Sequence, residues 1–356
     1  MTPLITDAIT QTYVVAGVLL TGLLLTIHKR HGDKLFPPEA TTELKGLAIL
    51  FIVLSHIGYF LVSDNRFLVP MSNFAGVGVD LFLILSGYGL AASALQKPLS
   101  AWHFYTKRLI RIYLPVIATV LLFLGLDYFI LNTLYPAKTI WQSLIGFFPR
   151  GDLYRDLNSP LWFITPLLVY YLLFPLTFWR RAPIVSAALL AIAGWYFIKH
   201  NPFDLINLDL LKTYKLHFLA FPIGLALAPL LNREYHLKPL LRWLGVALAT
   251  LILVYTLNHT HVGEVWKREA LTSTISALTF IALFVFKPFN NKLLLLIGIF
   301  SFEVYLLHWP ILSRYDFLYG RVPAGAATLG YLIIFLGLGY VFQKGTTYLT
   351  RFRVAK

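Results

Sequence analysis

The sequence predicts an all-α protein embedded in a bilayer, on three observations. Hydrophobic residues make up 58% of the chain and charged residues only 13%, against about 25% charged in a soluble domain. The apolar residues fall into runs close to the ~20 residues that a helix needs to cross a hydrocarbon core. The basic residues, which give a net charge of +14, sit in short connections between those runs rather than in one stripe or tail. Membrane topology explains that distribution, and no nucleic-acid partner is expected. The chain has no cysteine, so disulfides, zinc–thiolate sites and a thiol nucleophile are excluded. No metal and no permanently bound cofactor is expected.

Eleven spanning helices follow from the apolar runs, near 12–28, 44–62, 74–95, 110–131, 161–178, 183–198, 216–231, 241–257, 270–286, 293–312 and 325–342. The opening "MTPLITDAITQ" lacks a basic n-region, and no small-residue cleavage site follows the first run, so no cleaved signal peptide is expected. No linker, low-complexity tract or internal repeat interrupts the pattern. One helical membrane domain is expected, with no soluble domain. Putting the N-terminus outside makes Lys29, Arg30, Lys34, Lys97, Lys107, Arg108, Arg180, Arg181, Lys238, Arg242, Lys287 and Lys292 cytoplasmic, as the positive-inside rule asks. An odd helix count then brings the basic tail "QKGTTYLTRFRVAK" inside too.

The second run, "LKGLAILFIVLSHIGYF", holds His56 deep among apolar residues, where an ionisable group is by default a functional-site hypothesis. A histidine packed against a carbonyl of a neighbouring helix is the plainer reading. Lys45 stands eleven residues earlier. That spacing returns to within about 20° of the same helix face and spans about 16.5 Å. A lysine at a helix end is ordinary; its shared face with His56 gives it weight. An anionic head held at the inner surface could pass a slender arm up to the imidazole, and coenzyme A has that shape.

The third run, "GVGVDLFLILSGYGL", carries Asp80 and is broken by Ser86-Gly87. Its small residues permit close helix packing and equally leave room for a ligand arm. The fourth opens with "FYTKRLIRIYLP", in which Arg108 and Arg111 are helical neighbours at the cytoplasmic entrance, suited to phosphates. Plain positive-inside flanking would give the same pattern. The connection 132–160 is the longest on the outer side. Its "WQSLIGFF" predicts an interfacial helix with Trp141, Leu144, Ile145 and Phe148 on one face, either resting on the membrane or covering a cavity. In "SFEVYLLHWPIL", Glu303 is eleven residues from Lys292, which in an unbroken helix puts its carboxylate level with His56. Either Glu303 or Asp80 is then expected to hold the His56 tautomer. His308 is expected near the outer interface.

Taken together, "KGLAILFIVLSH", "GVDLFLILSGY", "KRLIRIYLP", "PLWFITPLLVYYLLFPL" and "SFEVYLLHWP" resemble acyltransferase family 3, integral membrane O-acyltransferases, in order and spacing. The resemblance implies an extra N-terminal helix and basic loop (1–43) before a ten-helix acyltransferase domain (44–356). It implies an acyl-CoA donor, expected to be acetyl-CoA, bound at Lys45, Arg108 and Arg111; Ser86, in the break of the third run, is expected beside the donor. His56 would be general base or acyl carrier, with Glu303 and Asp80 beside it as catalytic carboxylates, and Trp162 and His308 on the acceptor side. Many relatives carry arginine at the position of Lys45; lysine keeps the charge but loses the bidentate fork. The implied acceptor is a hydroxyl of a cell-envelope polysaccharide, lipopolysaccharide or glycolipid. The implied place is a bacterial inner membrane, with or without a separate protein completing the transfer. A transporter using His56, Asp80 and Glu303 as a proton relay is the rival expectation; a membrane acyltransferase of another fold, with donor-binding residues elsewhere, is a third.

Overall fold

Apolar runs flanked by proline and polar residues become helices whose boundaries follow those signals. In the computed structural model, residues 7–30, 34–62, 64, 66–233, 238–259 and 266–354 are described. The side chains of Arg351, Arg353 and Lys356, in the basic tail quoted above, lie outside the described residues. In chain order the helices are α1 (Ala8–Leu25), α2 (Pro38–Ser55), α3 (Ala75–Gln96), α4 (Ala101–Phe104), α5 (Ile110–Leu131), α6 (Ala137–Leu144), α7 (Ile164–Thr177) and α8 (Pro183–His200). They continue as α9 (Leu208–His217), α10 (Ala220–Leu231), α11 (Pro239–Asn258), α12 (Trp266–Phe286), α13 (Lys292–Ile299), α14 (Ser301–Arg314) and α15 (Ala324–Val354). Pro38, Pro183 and Pro239 each open a helix, where a missing N–H costs nothing.

Ten helical segments among the described residues are long and apolar enough to cross a membrane, and the bent pair α13–α14 makes an eleventh. The fold is an all-α membrane bundle. One short pairing departs from helix: β1 (Ile27–Lys29) runs antiparallel to β2 (Phe289–Asn291). The first span therefore ends at Leu25, before the expected 28. Thr26 turns the chain there, donating to the Gly22 carbonyl at 2.7 Å and contacting Asn291. The pairing also places residues 26–30 and 287–291 at one end of the bundle. Arg180 donating to the Leu95 carbonyl and Gln96 donating to Asn232 bring 97–100, 178–182 and 232–233 to that same end. It is the basic end.

A buried electrostatic knot fixes it. Glu43 accepts from Lys287 and from the Asn291 backbone N–H, and the Arg30 guanidinium donates to the carbonyls of Phe284, Lys34 and Leu35 at 2.7–3.0 Å. Burial lowers the pKa of both Arg30 and Lys287, and Glu43 opposes that shift.

Helix contacts in the middle of the bundle rest on glycine. A Cβ on Gly298 would overlap the Thr42 carbonyl, and one on Gly46 the Leu294 carbonyl, so α2 and α13 touch backbone to backbone. Gly224 stands in the same relation to Ile84, clamping α3 to α10.

The expected continuous helix 293–312 is broken. Between α13 and α14 the chain turns by 70° at Phe300, which caps α13 rather than continuing it. The eleven-residue phase relation between Lys292 and Glu303 does not survive that break.

At the opposite end, the connection 132–160 lies across the bundle. The helix found there, α6, starts before the expected stretch and ends at Leu144, so Ile145 and Phe148 lie beyond it and the expected four-residue face does not form; Trp141 and Ile145 are exposed and Phe148 is buried. Asp127, fully buried, accepts from the Tyr135 and Tyr315 hydroxyls at 2.6 Å and from Arg314 at 3.2 Å. Burial and the Asp127 carboxylate both raise the pKa of Tyr135. Arg314 donates onward to the Leu157 carbonyl at 2.7 Å, so one carboxylate ties the connection to the end of α14.

Candidate active site

His56 sits where α2 changes character. From His56 to Leu61 the ladder widens into a π-helical turn, a distortion common at functional positions because it re-aims side chains. Its partner is His308 of α14: His56 Nδ1 and His308 Nε2 are 2.7 Å apart. The ring planes differ by 8° with centroids 4.9 Å apart, so the imidazoles meet edge to edge and the bond is in-plane.

The network fixes where the protons are. His308 Nδ1 faces two carbonyl oxygens, Val304 at 3.1 Å and Tyr305 at 2.9 Å. Carbonyls only accept, so His308 Nδ1 carries the hydrogen and Nε2 a lone pair. His56 Nδ1–H therefore donates to His308 Nε2, which leaves the lone pair of His56 on Nε2. That nitrogen makes no hydrogen bond among the described residues, and His56 is only partly buried. Trp309 and Phe60 present edges to the ring at 5.2 and 5.8 Å.

The outer connection covers this pair. Tyr154 donates to the Phe60 carbonyl at 3.0 Å, Trp309 Nε1 to the Leu153 carbonyl at 3.0 Å, and Asn158 to the Leu306 carbonyl at 2.8 Å. Residues 153–158 thus rest on the segments that carry both histidines.

Toward the basic end, Lys45 lies on α2 within electrostatic reach of Arg108 and Arg111. A π-helical turn over Tyr105–Leu109 leads into α5. Tyr171 of α7 lies near both arginines and near Ser86 of α3. Among the described residues neither Lys45 nor the two arginines meets a carboxylate. Three like charges held near one another without a carboxylate make this a locally positive region of the bundle.

The carboxylates expected beside His56 are elsewhere. Asp80 accepts from His217 at 2.8 Å and from Ser273 at 2.6 Å. Glu303 is buried against α15, where Gln343 donates to it at 3.4 Å. On α14 the phase of Glu303 differs from that of His308 by about 140°, so once His308 faces α2, Glu303 faces away. A neutral imidazole does the orienting expected of Glu303 or Asp80, and the three groups of the rival proton relay meet different partners. His308, expected near the outer interface, is fully buried. Trp162 stacks on His217 with centroids 6.1 Å apart and 21° between planes. His217 is not among the residues the sequence singles out: it stands at the very start of the expected run 216–231, beside Lys215, where a polar residue is ordinary. Among the described residues no three histidine or carboxylate side chains come together as a metal site.

A helical membrane bundle that carries a hydrogen-bonded imidazole pair and a cluster of basic side chains is the architecture of an integral membrane protein. The profile of the acyltransferase domain of acyltransferase family 3 matches residues 44–344, and the chain belongs to that family. It is similar to the acyltransferase MdmB of Streptomyces mycarofaciens, 23% identical over 76% of this chain and 78% of that protein. It is also similar to the putative membrane-bound transacylase BcsY of Komagataeibacter xylinus, 25% identical over 88% of this chain and 84% of that one. No solved structure matches. The protein is a membrane acyltransferase.

Proposed function

We propose that the protein moves an acetyl group from cytoplasmic acetyl-CoA to a hydroxyl of an extracytoplasmic glycan, lipopolysaccharide or glycolipid of a bacterial envelope. It would do so in the inner membrane, with its N-terminus outside and its C-terminus in the cytoplasm. The observation that carries this reading is the free Nε2 of His56, about 16.5 Å along α2 from Lys45. Lys45, Arg108 and Arg111 take the phosphates of the donor, and the pantetheine arm follows α2 past Ser86 and Tyr171. His56 Nε2 then meets the thioester carbonyl, as general base or as transient acyl carrier. His308 fixes the tautomer. The acceptor enters from the side of the 132–160 connection, toward Trp162. The positive-inside distribution of Lys and Arg supports the orientation, and the printed names of both relatives support acyl transfer.

The test is release of free CoA from acetyl-CoA by purified protein in nanodiscs, with crude envelope glycolipid as acceptor. The wild type is expected to turn over and His56→Ala at equal membrane level is not. An active His56→Ala variant would refute the assignment.

A further inference from the structure

A groove of about 440 Å³ opens at the end of the bundle opposite the basic one. One wall is α1, where Ile9 and Tyr13 are exposed and Thr12 is buried behind them. The other wall is Tyr59, in the π-helical turn that begins at His56, with Arg66, Val69 and Asn73 from the segment before α3. The α1 wall lies outside residues 44–344, the stretch that the family profile matches.

Both walls are held in place. Thr12 Oγ1 donates to the Ala8 carbonyl at 2.7 Å and accepts the Leu68 N–H at 2.8 Å, which pins α1 to the segment before α3. Leu68 has a φ of 62°, a conformation that a leucine rarely adopts, and that bond helps to keep it there. On the other side a Cβ on Gly58 would overlap the Phe67 carbonyl, so the segment sits directly on the π-helical turn.

The lining is part apolar and part hydrogen-bonding. Ile9, Val69 and the two tyrosine rings are the apolar part. The Asn73 amide, the hydroxyls of Tyr13 and Tyr59 and the Nη1 of Arg66 are the polar part, and none of these has a hydrogen-bond partner among the described residues. Arg66 is the cation of this lining, and its Nε and Nη2 are bound to Asp64 at 3.0 and 2.7 Å. Asp7 stands two residues before Ile9. No positive charge is left over for a phosphate. A neutral polyhydroxyl head, with C–H faces for the tyrosine rings and hydroxyls for the amide and guanidinium, fits such a lining.

The groove also opens sideways. Ile9, Tyr13, Leu20 and Leu24 fall within about 60° on α1, and all four are exposed along a membrane span. That stripe faces lipid, and a tyrosine near the end of a span belongs at headgroup depth. Inward, the groove adjoins the histidine pair. The Phe60 ring lies 4.7 Å from the Tyr59 ring and 5.8 Å from the His56 ring, so two ring contacts separate the groove wall from His56. Tyr154 donates to the Phe60 carbonyl, which brings the 132–160 connection to the same place.

Resting on the acyltransferase reading, we infer that this groove is an acceptor subsite for the neutral sugar head of a membrane-anchored glycolipid. The glycolipid reaches it sideways from the outer leaflet with its chains still in the bilayer. One sugar unit lies between Tyr13 and Tyr59, and the next extends past Phe60 and turns a hydroxyl toward His56. The helix α1 thereby forms half of the subsite.

The test asks whether the lipid anchor and this lining both matter. A crude envelope extract is split on a hydrophobic resin into lipid-anchored and unanchored glycan. Acetyl transfer from acetyl-CoA to each fraction is measured for wild type, Tyr13→Ala and Asn73→Leu in nanodiscs. The wild type is expected to acetylate the anchored fraction. In each variant the amount of that fraction giving half the maximal rate is expected to rise roughly 5–10-fold, the worth of one aromatic or hydrogen-bonding contact. The KM for acetyl-CoA, whose expected site is at the other end of α2, is expected to move by less than twofold. Transfer confined to the unanchored fraction overturns the proposal. So does an unchanged half-maximal amount in either variant, or a rise matched by the KM for acetyl-CoA. Transfer by the wild type to neither fraction overturns instead the reading of an envelope acetyltransferase on which the proposal rests.

Discussion

Replacing His308 tests the proton assignment directly. In His308→Leu the buried Nδ1–H of His56 loses its acceptor at 2.7 Å, and an unsatisfied buried donor costs about 1–3 kcal/mol. His56 can escape that cost by moving its hydrogen to Nε2, which removes the reactive lone pair. At 1.36 kcal/mol per tenfold in rate, the expected loss of acetyl-CoA turnover is on the order of 10–100-fold. His308→Gln places a carbonyl oxygen near the same position and is expected to recover much of it. His56→Ala removes the reacting atom and is expected to cost about 10³-fold or more, with the double variant no worse than His56→Ala, because the two act as one unit. Free CoA is read with a thiol reagent, and since the chain has no cysteine the protein gives no background. Turnover by His308→Leu within twofold of wild type, or a double variant much slower than His56→Ala, would show that His308 does not act through His56.

Other consequences follow from the same geometry. Arg108→Ala and Arg111→Ala are each expected to raise the KM for acetyl-CoA by roughly 10-fold or more with a smaller effect on kcat, as loss of a charge-assisted phosphate contact worth about 1.5–3 kcal/mol predicts; the effect shrinks as salt rises, and steady-state kinetics at two ionic strengths checks it. Gly298→Ala drives a methyl into the Thr42 carbonyl and is expected to destabilise by about 1–3 kcal/mol, lowering the Tm in nanodiscs together with activity, since α13 sets where α14 presents His308. Asp127→Asn removes the charge that gathers Tyr135, Tyr315 and Arg314. Breaking a buried pair costs about 3–5 kcal/mol; faster proteolysis within 150–157 than in wild type is the expected sign that the outer connection has come loose.

Local features were readable wherever one helix carried them. Lys45 and His56 share α2, so their phase and rise follow from helix geometry alone, and the flanking basic residues identified Arg108 and Arg111 by spacing. Carboxylate partners were not readable in this way. Glu303 looked level with His56 only while 293–312 was one straight helix, and the 70° turn at Phe300 removed that relation. His217 lies 137 residues from Asp80 and His308 lies 252 from His56, separations over which no periodicity carries information.

The sequence by itself determined that this chain crosses a bilayer about eleven times, which end of the bundle is basic, and which helix carries the central histidine, because hydropathy and helical period are properties of single segments. Only the tertiary structure decided that His56 answers to His308 and that Asp80 answers to His217. Hydrogen bonds between helices depend on how each helix is rotated about its own axis. That rotation is set by backbone contacts at Gly46, Gly298 and Gly224, where helices approach as closely as a missing Cβ allows.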